Sequence, residues 1–310
     1  GNPEDAKRPT LAIVTAINLE NPTEFTSSCL AATISTVYAS HNNVFLVENE
    51  SFGIWWGGSS DSTIYQVGID TGVPVYKAMS DISGTVGWNQ PYRLSEYENH
   101  LRVLTSKGTE HQLHILALDN DGMTLVSSLP NEQRPAEIGK EGEAVYSVRY
   151  LGDRAYIVTF LTKDPFYVLN LTDPDMPYIE GDLVIPGYST YLHPFNDNLV
   201  FGLGRESEAD DLRGTWFGPL KMALFDVSDP SSPVVKDEVF LGDTYTSTPA
   251  LYNPRALSFL SRDDGTRWQL SLPVSVYDDA NQWQQDALYL LDITMDDHID
   301  GAGITLHGAL

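Results

Sequence analysis

Few side chains in this sequence stand where chemistry could be done, and they fall into two sets. The first is polar. Glu96, Arg149 and His193 occupy matching places in successive segments of strand-like composition, with His41 and Asn253 at nearby equivalent positions. A carboxylate, a guanidinium and an imidazole in one partly buried ring would suit a small anion or a metal. They would equally suit a hydrogen-bonded wall that keeps an interior channel from collapsing. The second set is aromatic. Trp55, Trp56, Trp88, Trp216, Phe217 and Trp283 fall in connections between strand-like segments, in Gly-rich or acidic surroundings. Indole faces beside carboxylates suit a glycan or a peptide, and Trp is enriched among binding hot spots. Large aromatics also fold back to seal the bases of loops, so the two roles compete.

Other chemistry finds little support. The chain has no Gly-x-Ser-x-Gly, no Walker loop, no His-Glu-x-x-His and no dinucleotide fingerprint, so no catalytic residue and no cofactor is assigned. Asp119-Asn120-Asp121-Gly122 and Asp263-Asp264-Gly265 superficially suggest calcium loops. They lack the alternating ligands and the glutamate at the twelfth position of an EF-hand, and Asp-Gly is a hairpin turn signal. Asp296-Asp297-His298-Ile299-Asp300 is richer in ligands but reads as a solvated acidic loop. Calcium is therefore the one ion with any claim, and the metal assignment stays open. Cys29, the single cysteine, sits in the apolar stretch Cys29-Leu30-Ala31-Ala32 and is expected to be a buried small hydrophobe. It excludes an internal disulfide framework.

The elements that must carry these residues repeat. A short apolar run bearing a polar residue and then a turn recurs, with that residue at positions 18, 68, 117, 170, 226 and 292. Clear copies are Leu169-Asn170-Leu171-Thr172-Asp173-Pro174 and Phe225-Asp226-Val227-Ser228-Asp229-Pro230. Proline cannot donate to a strand ladder, and Asp accepts from nearby backbone N–H groups, so each copy closes a strand. A period of about 50 residues with strand-like units points to propeller blades. The intervals hold further strands, such as 179–185, 189–193 and 199–203, separated by Pro186-Gly187 and Asn196-Asp197-Asn198. No helical periodicity runs ten residues without a breaker.

The expectation is an all-β propeller of four-stranded antiparallel blades, five complete and one partial. The blades run from about Ser35 to Asp81, Pro91 to Leu129, Ala144 to Ile185, Ser189 to Leu241 and Thr248 to Leu310. Residues 11–32 supply only two outer strands of another blade, residues 1–10 read as a tail or tag remnant, and 11–310 as one domain. In such blades the first strand lines the central channel, which puts Glu96, Arg149 and His193 there. The connections after the second and fourth strands share one face. Trp55, Trp56, Trp88, Trp216, Phe217 and Trp283 would lie on that rim, the last three in the long insertion Glu206–Pro219 and the loop 277–286.

Charge narrows the partners. Eighteen basic residues face 43 acidic ones, a net charge of −25. Such a surface repels phosphate backbones and anionic headgroups, so nucleic acid is excluded as a partner. No apolar run is long enough to span a bilayer. The acidity suits either a solubilising surface or a salty, extracytoplasmic setting.

Several segments resemble one known family. They are Val145-Tyr146-Ser147-Val148-Arg149-Tyr150-Leu151-Gly152-Asp153-Arg154-Ala155-Tyr156-Ile157-Val158-Thr159-Phe160, Lys163-Asp164-Pro165-Phe166, and Leu169 to Pro174. Ile185-Pro186-Gly187-Tyr188-Ser189-Thr190-Tyr191-Leu192-His193-Pro194 joins them, with Ser95-Glu96-Tyr97 and Leu101-Arg102-Val103. Together they resemble the bacterial and archaeal secreted proteins carrying a β-propeller domain distantly related to WD repeats. The resemblance spans roughly residues 35 to 300 and is densest between 141 and 235. It implies a propeller and export to the cell envelope or beyond, carries no catalytic residues over, and favours a chain that is part of a longer one. The function expected is a binding module for an extracytoplasmic protein or glycan, through the rim. A glycan hydrolase or lyase with channel carboxylates is the alternative. It needs two carboxyls about 5–10 Å apart, of which only Glu96 is nominated.

Overall fold

Runs of β-branched and aromatic residues, cut by Gly, Asn, Asp and Pro, fold into antiparallel strands throughout the computed structural model of the chain. The structure describes residues 10–51, 60–87, 91–119, 122–161, 164–185, 187–210, 214–262, 265–295 and 299–309. Among these the helical elements are single 3₁₀ turns such as Pro249–Leu251 and Pro254–Ala256. Among the described residues no helix is long and apolar enough to cross a membrane.

Among the described residues the strands group into one two-stranded and five four-stranded sheets, each laid out in sequence order. The chain also divides into two compact units, Gly1–Glu137 with Asp173–Pro177, and Ile138–Thr172 with Tyr178–Leu310. Unit one contains β1 (Ala12–Ile17) paired with β2 (Phe25–Leu30). Its first four-stranded sheet is β3 (Thr36–Ala39), β4 (Asn43–Ser51), β5 (Ser60–Gly68) and β6 (Val75–Ser83). Its second is β7 (Leu94–Tyr97), β8 (His100–Lys107), β9 (Glu110–Asp119) and β10 (Gly122–Leu129).

Unit two contains three sheets. The first is β11 (Ala144–Leu151), β12 (Arg154–Phe160), β13 (Asp164–Asn170) and β14 (Tyr178–Ile185). The second is β15 (Tyr188–Pro194), β16 (Leu199–Asp210), β17 (Gly214–Asp226) and β18 (Val234–Leu241). The third is β19 (Ser258–Arg262), β20 (Arg267–Tyr277), β21 (Trp283–Thr294) and β22 (Gly303–Ala309). These are the blades and the partial blade expected, with ends shifted by a few residues at most places. The fifth starts later, because two 3₁₀ turns precede β19.

Packing follows the two-residue period of a strand. In β16 and β17, Val200, Ala223 and Phe225 join Tyr156, Phe166 and Val168 of the preceding sheet. Their neighbours Phe201, Leu203, Met222 and Leu224 join Leu270, Leu272 and Leu291 of the following one. A sheet covered on both faces needs apolar residues at every position, which explains the unbroken run Met222-Ala223-Leu224-Phe225. The Phe166 and Phe225 rings stack at 4.7 Å. Burying each such ring stabilises by roughly 1.5–3 kcal/mol. In unit one, Phe45, Val47 and Ile64 pack similarly with Leu94, Leu101 and Leu116.

Two expectations need correction. The insertion Glu206–Pro219 is not an open loop: β16 and β17 extend into it from both ends, pairing Ser207 with Phe217 and Glu208 with Trp216. Its base is clamped by Arg205, whose guanidinium donates to the carbonyls of Gly218 and Thr244 at 2.8 Å each and to that of Thr246. Cys29 is exposed, not buried. It pairs across from Ile13 on the face where Ile13, Ile17 and Phe25 are also exposed, since among the described residues this sheet has two strands and nothing covers that side.

Candidate functional site

Strand direction alternates within a sheet, so the start of β11, the end of β12, the start of β15 and the base of the β16–β17 hairpin meet at one end of unit two. Four aromatic residues converge there: Tyr146 on β11, Phe160 on β12, Tyr188 on β15 and Phe217 on β17. Tyr188 is the hub, with ring centroids 5.1 Å from Tyr146, 5.1 Å from Phe160 and 5.4 Å from Phe217. Tyr146 meets Phe160 edge-on at 5.4 Å. Phe160 is buried, while Tyr146 and Phe217 keep 40% and 39% of their surface exposed. A buried ring supports two half-open ones, and edge-to-face contacts hold their angles.

Backbone geometry fixes the hub. Gly187, just before Tyr188, has φ of +88°, and a Cβ there would approach the Arg205 carbonyl oxygen to 2.4 Å. Gly204 lies so close beneath β15 that its Cβ would stand 1.6 Å from the Tyr188 carbonyl oxygen. Only glycine permits both the turn and the close approach.

Further along the same strands lies the polar pair. Arg149 on β11 sits over the Tyr191 ring of β15 at 4.6 Å, and its Nε donates to the Leu192 carbonyl at 2.7 Å. His193 stacks on Phe259 of β19 at 3.8 Å and 11°, with Nδ1 3.1 Å from the Tyr191 hydroxyl. Burial, and then the neighbouring guanidinium, push the imidazole down to about 4, so it is uncharged at neutral pH. Arg149 is therefore the positive charge of this cluster.

Glu96 belongs to unit one. Its carboxylate accepts from Asn43 Nδ2 at 2.8 Å and from the Ser40 hydroxyl, and its N–H donates to Tyr38 Oη at 3.0 Å. It clasps the β3–β4 turn to β7. His41 lies in that turn, and Asn253 caps the 3₁₀ turn before β19 by accepting from Arg255 N–H at 3.2 Å.

Of the aromatic residues expected on a rim, Phe217 joins the ring cluster. Trp216 lies on β17 opposite Glu208. Trp283 is the first residue of β21, 57% exposed, with Nε1 3.4 Å from Asp286 Oδ1; it stands at a separate hairpin of unit two. Trp55, Trp56 and Trp88 lie outside the described residues, as do Asn120, Asp121, Asp263, Asp264 and 296–298 of the acidic turns. Among the described residues no group of three or more His, Cys, Asp or Glu side chains could hold a metal ion. Tyr146, Tyr188 and Phe259 were not anticipated. No repeated position joins the two tyrosines: Tyr146 is the bulge residue of β11, whereas Tyr188 precedes the bulge of β15.

Comparison with known proteins bears on the fold. The chain is 37% identical over 152 residues to an uncharacterised protein of Methanocaldococcus jannaschii, a match covering 47% of this chain and 22% of that protein. It is 36% identical over 156 residues to an uncharacterised protein of Archaeoglobus fulgidus, covering 50% of this chain and 22% of the relative. Among solved structures, the periplasmic gluconolactonase of Pseudomonas aeruginosa aligns over 97% of this chain and 96% of its own, at 10% identity and a TM-score of 0.47. The WD40 domain of Toxoplasma gondii coronin aligns over 96% and 85%, at 10% identity and 0.37. A family model described as a β-propeller domain matches residues 2–309. With its repeated four-stranded antiparallel sheets, the chain belongs to this β-propeller domain family.

Proposed function

We propose that this chain is the binding module of an exported protein, and that the end of unit two bearing Tyr146, Phe160, Tyr188 and Phe217 takes up a glycan. The observation that carries the reading is the ring cluster itself. Two half-exposed rings are held at fixed angles by a buried third ring and by a hub anchored on two glycines. The apolar C–H face of a pyranose lies flat on such rings while its hydroxyls turn outward, and fixed rings lose little entropy on binding. The four rings stand on strands near one end of a rigid scaffold, next to the connections where recognition is usually placed. Export is supported by the family resemblance and by 43 acidic residues against 18 basic ones.

A glycan array followed by calorimetry on the best binder tests this. Phe217→Ala and Tyr146→Ala should each weaken binding roughly 3- to 10-fold, the range of one aromatic contact, with a single cooperative unfolding transition retained. Absence of any glycan ligand, or variants that bind as the wild type does, would sink the reading. Fractionation of cells making the full-length protein tests export separately.

A further inference from the structure

The first strands of the three sheets of unit two stand out in an acidic chain. β11, β15 and β19 together carry Arg149 and Arg262 and no Asp or Glu, although the chain has 43 acidic residues. Both β11 and β15 contain a bulge at the corresponding place, between Val145 and Ser147 and between Ser189 and Tyr191. A bulge inserts one residue into the two-residue alternation, so residues three apart can share a face. Two contacts therefore bridge the same pair of strands in succession: Tyr146 against Tyr188, then Arg149 over Tyr191. Three residues of strand separate them by about 10 Å, within reach of a short oligosaccharide. Phe259 and His193 continue the aromatic surface beyond Arg149.

Resting on the glycan reading above, we infer that the ligand is an acidic sugar chain, and that Arg149 receives the carboxylate of a uronic acid unit whose neighbour stacks at Tyr146 and Phe217. The guanidinium is fixed by its Nε bond to Leu192 and by the Tyr191 ring beneath it, so little side-chain entropy is lost on pairing. His193, uncharged at neutral pH, adds no second positive charge but offers a flat partner for a ring. The net charge of −25 opposes an anion at long range. At physiological salt that field is screened within about 8 Å, so the adjacent guanidinium dominates in the bound state.

The test compares an oligogalacturonate trimer with its methyl ester, which keeps the rings and removes the charge, by calorimetry on wild type, Arg149→Gln and Phe217→Ala. The acid should bind wild type roughly 10-fold or more tightly than the ester, the scale of one charge-assisted hydrogen bond. Arg149→Gln should bring the two within about 2-fold, because the charge-assisted bond that separates acid from ester is lost. Phe217→Ala should weaken both alike. Should Arg149→Gln fail to fold, the salt dependence of wild type decides: acid binding must weaken with salt while ester binding holds. Equal binding of acid and ester to wild type overturns the carboxylate inference and leaves the glycan reading standing. Failure of both probes to bind, where a neutral glycan does bind, also overturns it. No sugar of any kind bound overturns both.

Discussion

Stacked on Phe259 and set beside Arg149, the His193 imidazole titrates near 4, lowered first by burial and then by the guanidinium. The same ring in an unfolded chain titrates near 6.5. Between those values the unfolded state binds a proton that the folded state refuses. Stability contributed by the neutral ring is therefore complete above about pH 6.5, falls as pH drops toward 4, and is level below that. The full shift corresponds to roughly 3 kcal/mol, discounted in practice because the ring is only partly buried. Urea unfolding of His193→Gln between pH 4 and 7 should show a shallower loss of stability than wild type. Equal slopes would place the ring in water rather than against Phe259. Some slope will persist in the variant, because burial also lowers His114, whose ring bonds to Thr105, Ser128 and the Ser83 carbonyl.

At the level of strands, close approach between β15 and β16 is what positions Tyr188. Gly204→Ala would drive a methyl group into the Tyr188 carbonyl, so β15 must move away from β16. The expected loss is about 1–3 kcal/mol of stability, with binding at the ring cluster lost as well. Gly72→Ala is the control: its φ is +73° but nothing lies within 4 Å, so only the left-handed conformation is strained. That costs about 1–2 kcal/mol, without effect on binding. Chemical denaturation and calorimetry of both variants check this. The strands themselves were legible because their turns are written in Gly, Asn, Asp and Pro, and because sheets buried on both faces demand unbroken apolar runs such as 222–225. The ring cluster was legible only at Phe217. Attention to tryptophan passed over Tyr146 and Tyr188, whose convergence depends on two bulges and a glycine contact that no local pattern announces. The extended hairpin through Trp216 was missed for a similar reason. Its polar residues resemble a loop, and the clamp that stiffens its base comes from Arg205, reaching carbonyls as distant as Thr246.

On the scale of the molecule, charge and an open sheet govern behaviour. With 43 acidic and 18 basic residues, at least 25 carboxylates have no basic partner even if every basic side chain pairs. Their mutual repulsion destabilises the folded state, and salt relieves it. The melting temperature should therefore rise as sodium chloride increases from about 0.02 to 0.5 M, the range over which the screening length shrinks several-fold; a flat or falling profile would show that the carboxylates are spaced too widely to interact. The two-stranded sheet has a different consequence. β1 and β2 pair only with each other among the described residues, while Ile13, Ile17 and Phe25 stay exposed. A ribbon of two strands is a template: its bare N–H and C=O groups can recruit a strand from a neighbouring molecule, and its apolar side rewards the addition. Concentrated protein is expected to self-associate there, and Ile13→Lys with Ile17→Lys to keep it monodisperse by light scattering. Used deliberately, the same edge is a grafting point, where an alternating apolar and polar peptide could be added as a reporter strand in the unit that holds none of the ring cluster.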